Sequence, residues 1–261
     1  MTIFGLADAD IATLVGAATV APASDAAALA ERFARGAWTA LAEPGDSVAG
    51  RLVASVGAAA ALGALLGGAD ATALHTRAGG EIDRDALEKG LERWRPRLDS
   101  TLATRAFAQA ARFDARLLVP GDELWPVGLD DLGDFAPIAL WVRGLDSAIT
   151  ALDRGIALVG ARAATGYGEH VAMESSAGLV DRGYAIVSGA AYGIDGMAHR
   201  AALASHGTTV AFLAGGLDRF YPSGHEALLT RIVAEGAAIS EVPCGTAPTK
   251  WRFLHPKTQY P

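Results

Sequence analysis

The chain has 261 residues, of which 51% are hydrophobic and 20% are charged, so a sizeable core is expected and global disorder is excluded. One cysteine excludes a disulfide framework and a cysteine-rich zinc site, and it suits a reducing cytoplasm. The net charge is −7, and residues 151–261 hold nine basic and nine acidic residues, so all the excess acid lies in residues 1–150. A neutral second part leaves room for a local anion site.

No membrane or secretory segment is expected. The N-terminus lacks a basic start and carries Asp8 and Asp10 early, which is unlike a signal peptide. Residues 52–69 hold no charge and approach the length of a membrane span, but they are dominated by alanine and glycine. This composition favours a buried helix packed through small residues.

The first 115 residues predict a small helical domain. Alanine-rich helical segments begin at Ile11 and run over 25–41, 50–66 and 85–113. Either Asp46 or Ser47 is expected to cap a helix, and Pro96 is expected to break or kink the last segment.

From residue 116 the pattern becomes α/β. Apolar strands are predicted at 116–119, 137–144, 156–159, 184–187, 208–213 and 237–240, and helices at 169–182, 195–206 and 225–235. Each of these helices is followed by a glycine, at 183, 207 and 236, which we interpret as a left-handed cap. The alternation predicts a Rossmann-like parallel sheet with helices on both faces, forming a second domain over 116–261.

Ligands of such sheets bind at the carboxyl ends of the strands, so three glycine-rich loops are the candidate sites. The first loop (160–168) contains Gly160 and Arg162, and it leads into a helix whose N-terminus attracts phosphate. Arg162 stands where a dinucleotide-binding loop has a glycine, and a guanidinium there favours an open polyanion. The alternative is that Arg162 is only a solvated loop arginine.

The second loop (188–194) leads into a helix through Asp195. Its amides and hydroxyl predict another anion cradle, with Gly193 at positive φ and Asp195 capping the helix. Tyr192 either stacks on a base or packs against a neighbour. His199, one turn further, is interpreted as a structural hydrogen-bonding residue rather than a base or metal ligand.

The third loop (214–224) contains Gly215 and Gly216, which are expected to let the backbone approach a ligand closely. Asp218 either stabilises the turn or contacts the ligand, and Arg219 is the other polar member. The three loops hold no catalytic constellation, no metal-ligand spacing and no cofactor motif, so we expect a binding protein rather than an enzyme.

Several motifs together resemble the DprA (Smf) family. In order along the chain they are VPGDELWPVGLDDL, APIALWVRG, ALVGARAATGYG, IVSGAAYGIDGMAHRAAL, VAFLAGGLDRFYP and AISEVPCGT, covering about residues 117–254. The helical first part resembles the family's N-terminal domain, of SAM-like or helix-hairpin type, only loosely.

The resemblance implies an extended Rossmann fold, binding and protection of single-stranded DNA, loading of the RecA recombinase in natural transformation, and a homodimer. It places the DNA-gripping arginine on Arg162, with Ala161 where serine is usual. It places the phosphate pocket on Ser188, Gly189, Ala190 and 193–195. A basic residue is frequent in the family where this chain has Tyr192.

The end of the chain departs from the family pattern. Residues 251–255 match the segment that leads into a basic motif of the family, and Arg252 is expected among the DNA contacts. Residues 256–261 fit no family pattern. We expect a truncated or frameshifted product that lacks further basic contacts and part of the dimer contact.

Two other interpretations stay open. One is a nucleotide-processing enzyme like the phosphoribohydrolases of related fold, although their PGGxGT segment and following glutamate are absent. The other is a non-functional remnant.

Overall fold

The computed structural model describes residues 3–19, 25–249 and 252, and it contains a helical N-terminal part followed by a six-stranded sheet. The strands are β1 (Arg116–Leu118), β2 (Leu140–Gly144), β3 (Gly155–Ala157), β4 (Ala185–Ser188), β5 (Thr209–Phe212) and β6 (Ala237–Ser240). The helices are α1 (Asp8–Gly16), α2 (Ala26–Leu41), α3 (Ser47–Val56), α4 (Ala58–Leu66), α5 (Ala71–Arg77), α6 (Arg84–Trp94), α7 (Ser100–Arg112), α8 (Asp146–Thr150), α9 (Gly166–Val180), α10 (Ile194–Ala204) and α11 (Glu226–Glu235).

Aspartates start most helices of the N-terminal part. The side chains that accept a hydrogen bond from the first turn are those of Asp25, Asp46, Asp70, Asp83 and Asp99. A carboxylate at this position satisfies an otherwise unpaired amide and interacts favourably with the helix dipole. Capping therefore accounts for part of the acidic excess in this half, and Asp46 rather than Ser47 is the cap of α3.

The prediction of one helix over 50–66 is wrong, because the chain breaks at Gly57. This glycine has a φ of 84°, and α3 and α4 meet there at 107°. The Glu31 carboxylate stabilises the break by accepting hydrogen bonds from the amides of Ala58 and Ala59, each at 2.9 Å. Among the described residues, no single helix has the length and apolar composition of a membrane span, and α3 with α4 meets that criterion only as this bent pair.

One helix of the N-terminal part is absent from the sequence prediction, and one predicted helix break is present. Helix α5 was not predicted, since its seven residues are too few to show a clear apolar period. The expected break at Pro96 is confirmed, because a 3₁₀ turn over Arg95–Arg97 separates α6 from α7.

The sheet has the strand order β1-β2-β6-β5-β4-β3. Strands β3 to β6 are parallel, whereas β2 pairs antiparallel with β6 and β1 pairs antiparallel with β2. The predicted Rossmann-like α/β fold is confirmed, and its parallel part is extended on one side by two antiparallel strands.

Helices cover both faces of the sheet, but unequally. Because β3 to β6 follow one another in a single direction, right-handed crossovers place α9, α10 and α11 on the same face. On that face Ile186 packs with Ala198 and Ala202 of α10. The opposite face is covered by the short α8, whose Ile149 belongs to the same cluster as Val187.

The helical part and the sheet share one apolar core. Phe107 of α7 stacks on Phe33 with ring centroids 5.3 Å apart, and it meets the edge of Trp141 of β2 at 5.4 Å. The Trp141 indole N–H donates to the Thr39 hydroxyl at 3.0 Å. The domain boundary between residues 115 and 116 stays a prediction.

The glycines that end the crossover helices have different roles from the one predicted. Gly183 has the expected left-handed conformation, with a φ of 77°, but Gly207 and Gly236 do not. These two allow close packing instead: a Cβ on Gly207 would lie 2.4 Å from a Val180 methyl carbon, and one on Gly236 would lie 2.1 Å from the Thr209 carbonyl oxygen.

We expect Gly236→Ala to destabilise the fold by about 1–3 kcal/mol, because the added methyl group meets backbone that has to shift. Gly16→Ala is the matched control, since nothing lies within 4 Å of a Cβ there and alanine is the better helix former. Urea unfolding measures both variants. Equal stability of Gly236→Ala and the parent chain would contradict the packing role.

Candidate nucleic-acid interface

The three glycine-rich loops lie side by side at the carboxyl edge of the sheet. They follow β3, β4 and β5, which are neighbouring parallel strands. The first loop is largely exposed, whereas the third is anchored by buried glycines. The topology therefore brings together the residues that the sequence analysis singled out in 160–224.

The Asp195 carboxylate joins the first loop to the second. It is buried and accepts hydrogen bonds from the amides of Gly160 at 3.4 Å, Gly189 at 3.2 Å and Ala191 at 3.4 Å. Burial raises the pKa of Asp195, and the amide hydrogen bonds oppose that rise.

Two predictions about this loop are corrected. Asp195 does not cap α10, because Gly193 occupies the cap position with a φ of 77° and the carboxylate turns back to the loops. The predicted phosphate cradle is occupied by the protein's own carboxylate, so the amides of Gly189 and Ala191 already have an anionic partner. The positive φ of Gly193 is confirmed.

Glycines hold the first and second loops in direct backbone contact. A Cβ on Gly193 would lie 2.2 Å from the Ala161 carbonyl oxygen, and one on Gly160 would lie 2.8 Å from an Ile194 side-chain carbon. The Ser188 hydroxyl, at the end of β4, donates to the Leu158 carbonyl at 2.6 Å. Ser188 and these glycines therefore shape the loops from inside.

Tyr192 packs against a neighbour, which is one of the two alternatives left open by the sequence, and stacking on a base stays a prediction. The Tyr192 ring packs edge-on against His225, with ring centroids 4.9 Å apart, and the residue is 49% exposed to solvent. His225 is buried, and its Nδ1 donates to the carbonyl of Ala190 at 3.0 Å. Ala190 itself is buried with a φ of 54°, a conformation unusual for alanine.

The third loop packs against the segment after β6. Gly215 and Gly216 are buried, a Cβ on Gly215 would lie 2.9 Å from Pro248, and the Gly216 amide donates to the Thr246 carbonyl at 2.9 Å. Both glycines thus allow close packing within the protein, and a role in approaching a ligand stays a prediction. The Asp218 carboxylate accepts a hydrogen bond from the Gly245 amide at 2.7 Å, a contact outside its own turn, and direct contact of Asp218 with a ligand stays a prediction.

Arg252 contacts the helical part and the segment after β6, where it donates to the Ala247 carbonyl at 3.1 Å. Its guanidinium forms a bidentate pair with Glu43 of the helical part, at 2.8 and 3.0 Å, and Arg97 also bonds Glu43 at 2.9 Å. These contacts lower the pKa of Glu43 despite its partial burial. The structure thus uses Arg252 to fasten the end of the described chain to the helical part. The predicted departure at 256–261 lies outside the described residues.

The outer surface of the edge carries exposed groups of the first loop. Arg162 is exposed on the first loop, four residues before α9. Thr165 caps α9 by accepting from the Gly168 amide at 3.2 Å, and within the described residues the amides of Gly166 and Tyr167 have no hydrogen-bond partner. An anion at this helix start meets two donors and the positive end of the helix dipole.

Sequence reasoning missed one cation at this edge. Arg200 is exposed on α10, and a Cβ placed on Gly196 would lie 3.2 Å from the Arg200 guanidinium. The Gly196 amide in turn donates to the Ala191 carbonyl of the second loop. Helical periodicity signals it, because a residue four positions after Gly196 returns to the same side of the helix.

His199 lies in the core. Its Nδ1 donates to the Thr209 hydroxyl at 2.7 Å, and that hydroxyl donates onward to the Ile186 carbonyl at 2.8 Å. Burial lowers the pKa of His199 to about 3, so the ring is neutral at pH 7. This placement fits the structural interpretation of His199.

We expect Asp195→Ala to lower the free energy of unfolding by about 2–4 kcal/mol, because three amides lose a charged acceptor. Amide hydrogen exchange should also accelerate at Gly160, Gly189 and Ala191 in particular. Asp181→Ala removes an exposed carboxylate at the end of α9 and serves as the control. Unchanged hydrogen exchange at those three amides would contradict the role of Asp195 in joining the two loops.

We also expect a pH effect from His199. The pKa of His199 is depressed in the fold, so below about pH 6.5 only the unfolded chain takes up a proton at this residue. The free energy of unfolding therefore falls as the pH falls from about 6.5 towards 3. Between pH 7 and pH 5 the parent chain should lose about 2 kcal/mol more than His199→Gln. Urea titrations at both pH values measure this, and parallel losses would contradict the buried neutral state.

Known proteins are similar to this chain in sequence. The family described as DNA recombination-mediator protein A matches residues 116–256. A DNA processing protein DprA of Mycobacterium tuberculosis is 49% identical over 153 residues, which are 55% of this chain and 39% of that protein. The DNA processing protein DprA of Bacillus subtilis is 32% identical over 174 residues, which are 66% of this chain and 56% of that protein.

The fold also has a solved counterpart. The X-ray structure of DNA processing protein A from Streptococcus pneumoniae superimposes with a TM-score of 0.60 at 23% identity, covering 86% of this chain and 71% of that one. The chain spans between about two fifths and three fifths of the length of the curated relatives described above. Since the family match covers more than half of the chain, the protein belongs to the DprA (Smf) family of DNA recombination-mediator proteins.

Proposed function

We propose that this chain binds single-stranded DNA through the sugar-phosphate backbone at the outer surface of its carboxyl edge. We further propose that it protects the incoming strand and passes it to the RecA recombinase in the cytoplasm. Membership of the recombination-mediator family and the exposure of Arg162 four residues before the start of α9 support this function.

The observation that carries the proposal is the exposure of Arg162 on the loop that leads into the N-terminus of α9. A guanidinium binds phosphate oxygens in a bidentate manner, and the amides of Gly166 and Tyr167 supply further donors beside it. These contacts recognise phosphate and sugar positions without reading base edges. Such a site suits a strand of any sequence.

The phosphate site differs from the one expected at the second loop. Asp195 occupies the inner amides, and a phosphate that entered there would meet a buried carboxylate. The inner loops therefore act as a support, and the DNA contacts lie on the outer groups of the same edge.

A binding role without turnover is part of the proposal. The groups assembled at the edge are amides, hydroxyls, guanidiniums and tyrosines. Of the acidic side chains there, Asp195 and Asp218 are engaged with backbone amides, and Glu169 lies in the first turn of α9. A homodimer is a further part of the proposal, on the strength of the family resemblance alone.

We expect Arg162→Ala to weaken binding of a labelled oligothymidine by about tenfold or more, because a charge-assisted phosphate contact is lost. The slope of log affinity against log salt should fall by about 0.7, the contribution of one phosphate contact on a single strand. Fluorescence anisotropy at several salt concentrations measures both quantities.

Arg105→Ala is the matched control, since it removes the same charge from an exposed position on α7 in the helical part. It should leave the salt slope unchanged. If both variants shift the slope equally, the effect comes from net charge and not from a site at Arg162. Binding by the parent chain without any salt dependence would contradict the proposed function itself.

A further inference from the structure

Each of the three loops presents one exposed tyrosine. Tyr167 is 79% exposed, Tyr192 is 49% exposed and Tyr221 is 52% exposed. The sequence holds only five tyrosines, so more than half of them lie at this edge. The tryptophans of the described residues, at positions 38, 94, 125 and 141, are by contrast all buried.

Contacts between the loops place the three tyrosines one after another along the edge, in what we call the row. A Cβ on Gly168, next to Tyr167, would lie 3.5 Å from the Ile194 side chain, two residues after Tyr192. A Cβ placed on Gly224, three residues after Tyr221, would lie 2.6 Å from the Tyr192 hydroxyl. The order along the edge is therefore Tyr167, Tyr192 and Tyr221, following β3, β4 and β5.

The middle ring is held in place by the protein. One side of Tyr192 packs against His225, which is itself fixed by its hydrogen bond to Ala190. A tyrosine has only two side-chain torsions, so a ring supported in this way loses little entropy when it meets a flat ligand.

Cations accompany the row. Arg162, Arg200 and Arg219 are exposed on the first loop, α10 and the third loop, whereas the carboxylates of Asp195 and Asp218 are turned to backbone amides. Exposed aromatic rings alternating with guanidiniums are the equipment by which proteins hold an unpaired nucleic acid strand, since rings stack on bases and cations bind phosphates.

We propose that Tyr167, Tyr192 and Tyr221 form a stacking platform that takes bases of the bound strand. This inference rests on the proposed function and adds to it the part of the ligand that the tyrosines recognise, namely the faces of unpaired bases. A duplex hides those faces within its own stack, so the platform favours single-stranded over double-stranded DNA.

The test compares two strands of equal length and charge, an oligothymidine and an abasic oligodeoxynucleotide. The parent chain should bind the oligothymidine more tightly, by about 5-fold or more for each ring that stacks. Tyr167→Leu and Tyr221→Leu should each lower affinity for oligothymidine, leave affinity for the abasic strand unchanged and keep the salt slope. Tyr167→Phe, which retains a ring, should restore oligothymidine binding.

Tyr184→Leu is the control, because Tyr184 precedes β4 and lies at the opposite edge of the sheet beside Arg154. Circular dichroism establishes that each variant is folded. Equal affinity of the parent chain for both strands would overturn the platform while leaving phosphate binding intact. Equal losses on both strands in the leucine variants would also overturn it. Failure of the parent chain to bind either strand would overturn the proposed function together with the platform.

Discussion

The Asp195 carboxylate, buried between two loops, is the interaction on which the carboxyl edge depends. It accepts hydrogen bonds from amides at the ends of both β3 and β4, and so joins the two loops. Removing a carboxylate from water is unfavourable, which its raised pKa reflects, so the fold keeps it only because three donors compensate. The same arrangement holds Ala190 at a φ of 54°, which costs about 1–2 kcal/mol for a residue other than glycine.

This internal anion determines where an external one can bind. The inner amides are satisfied, and the glycines at 160, 193, 215 and 216 are needed for contact between protein segments. Recognition is therefore left to the outer groups of the same loops, which project from a support fixed by Asp195 and by the hydrogen bond from His225 to Ala190. Side chains on a rigid support bind with a smaller loss of entropy than side chains on a mobile loop.

The sequence predicted the alternation of strands and helices well, because buried parallel strands read as continuous apolar runs; the strand at 237–240 agrees residue for residue. It predicted the site less well. An aspartate near a helix start is equally suited to capping that helix or to bonding neighbouring loops, and only the pairing of β3 with β4 brings Gly160 within reach of Asp195. The Arg252–Glu43 pair joins residues 209 positions apart, and such a contact leaves no local pattern.

The division between support and surface also bears on sequence preference. Phosphate contacts carry no base information, and every base offers a π-face to a tyrosine. The proposed site of Arg162 and the three tyrosines would therefore distinguish unpaired from paired DNA more strongly than one base from another. Reading individual bases needs fixed donors and acceptors aimed at base edges. The amides of Gly160, Gly189 and Ala191 are already bonded to Asp195 and are therefore not offered to base edges. The interaction that stabilises the loops thus also withdraws their inner amides from the proposed recognition.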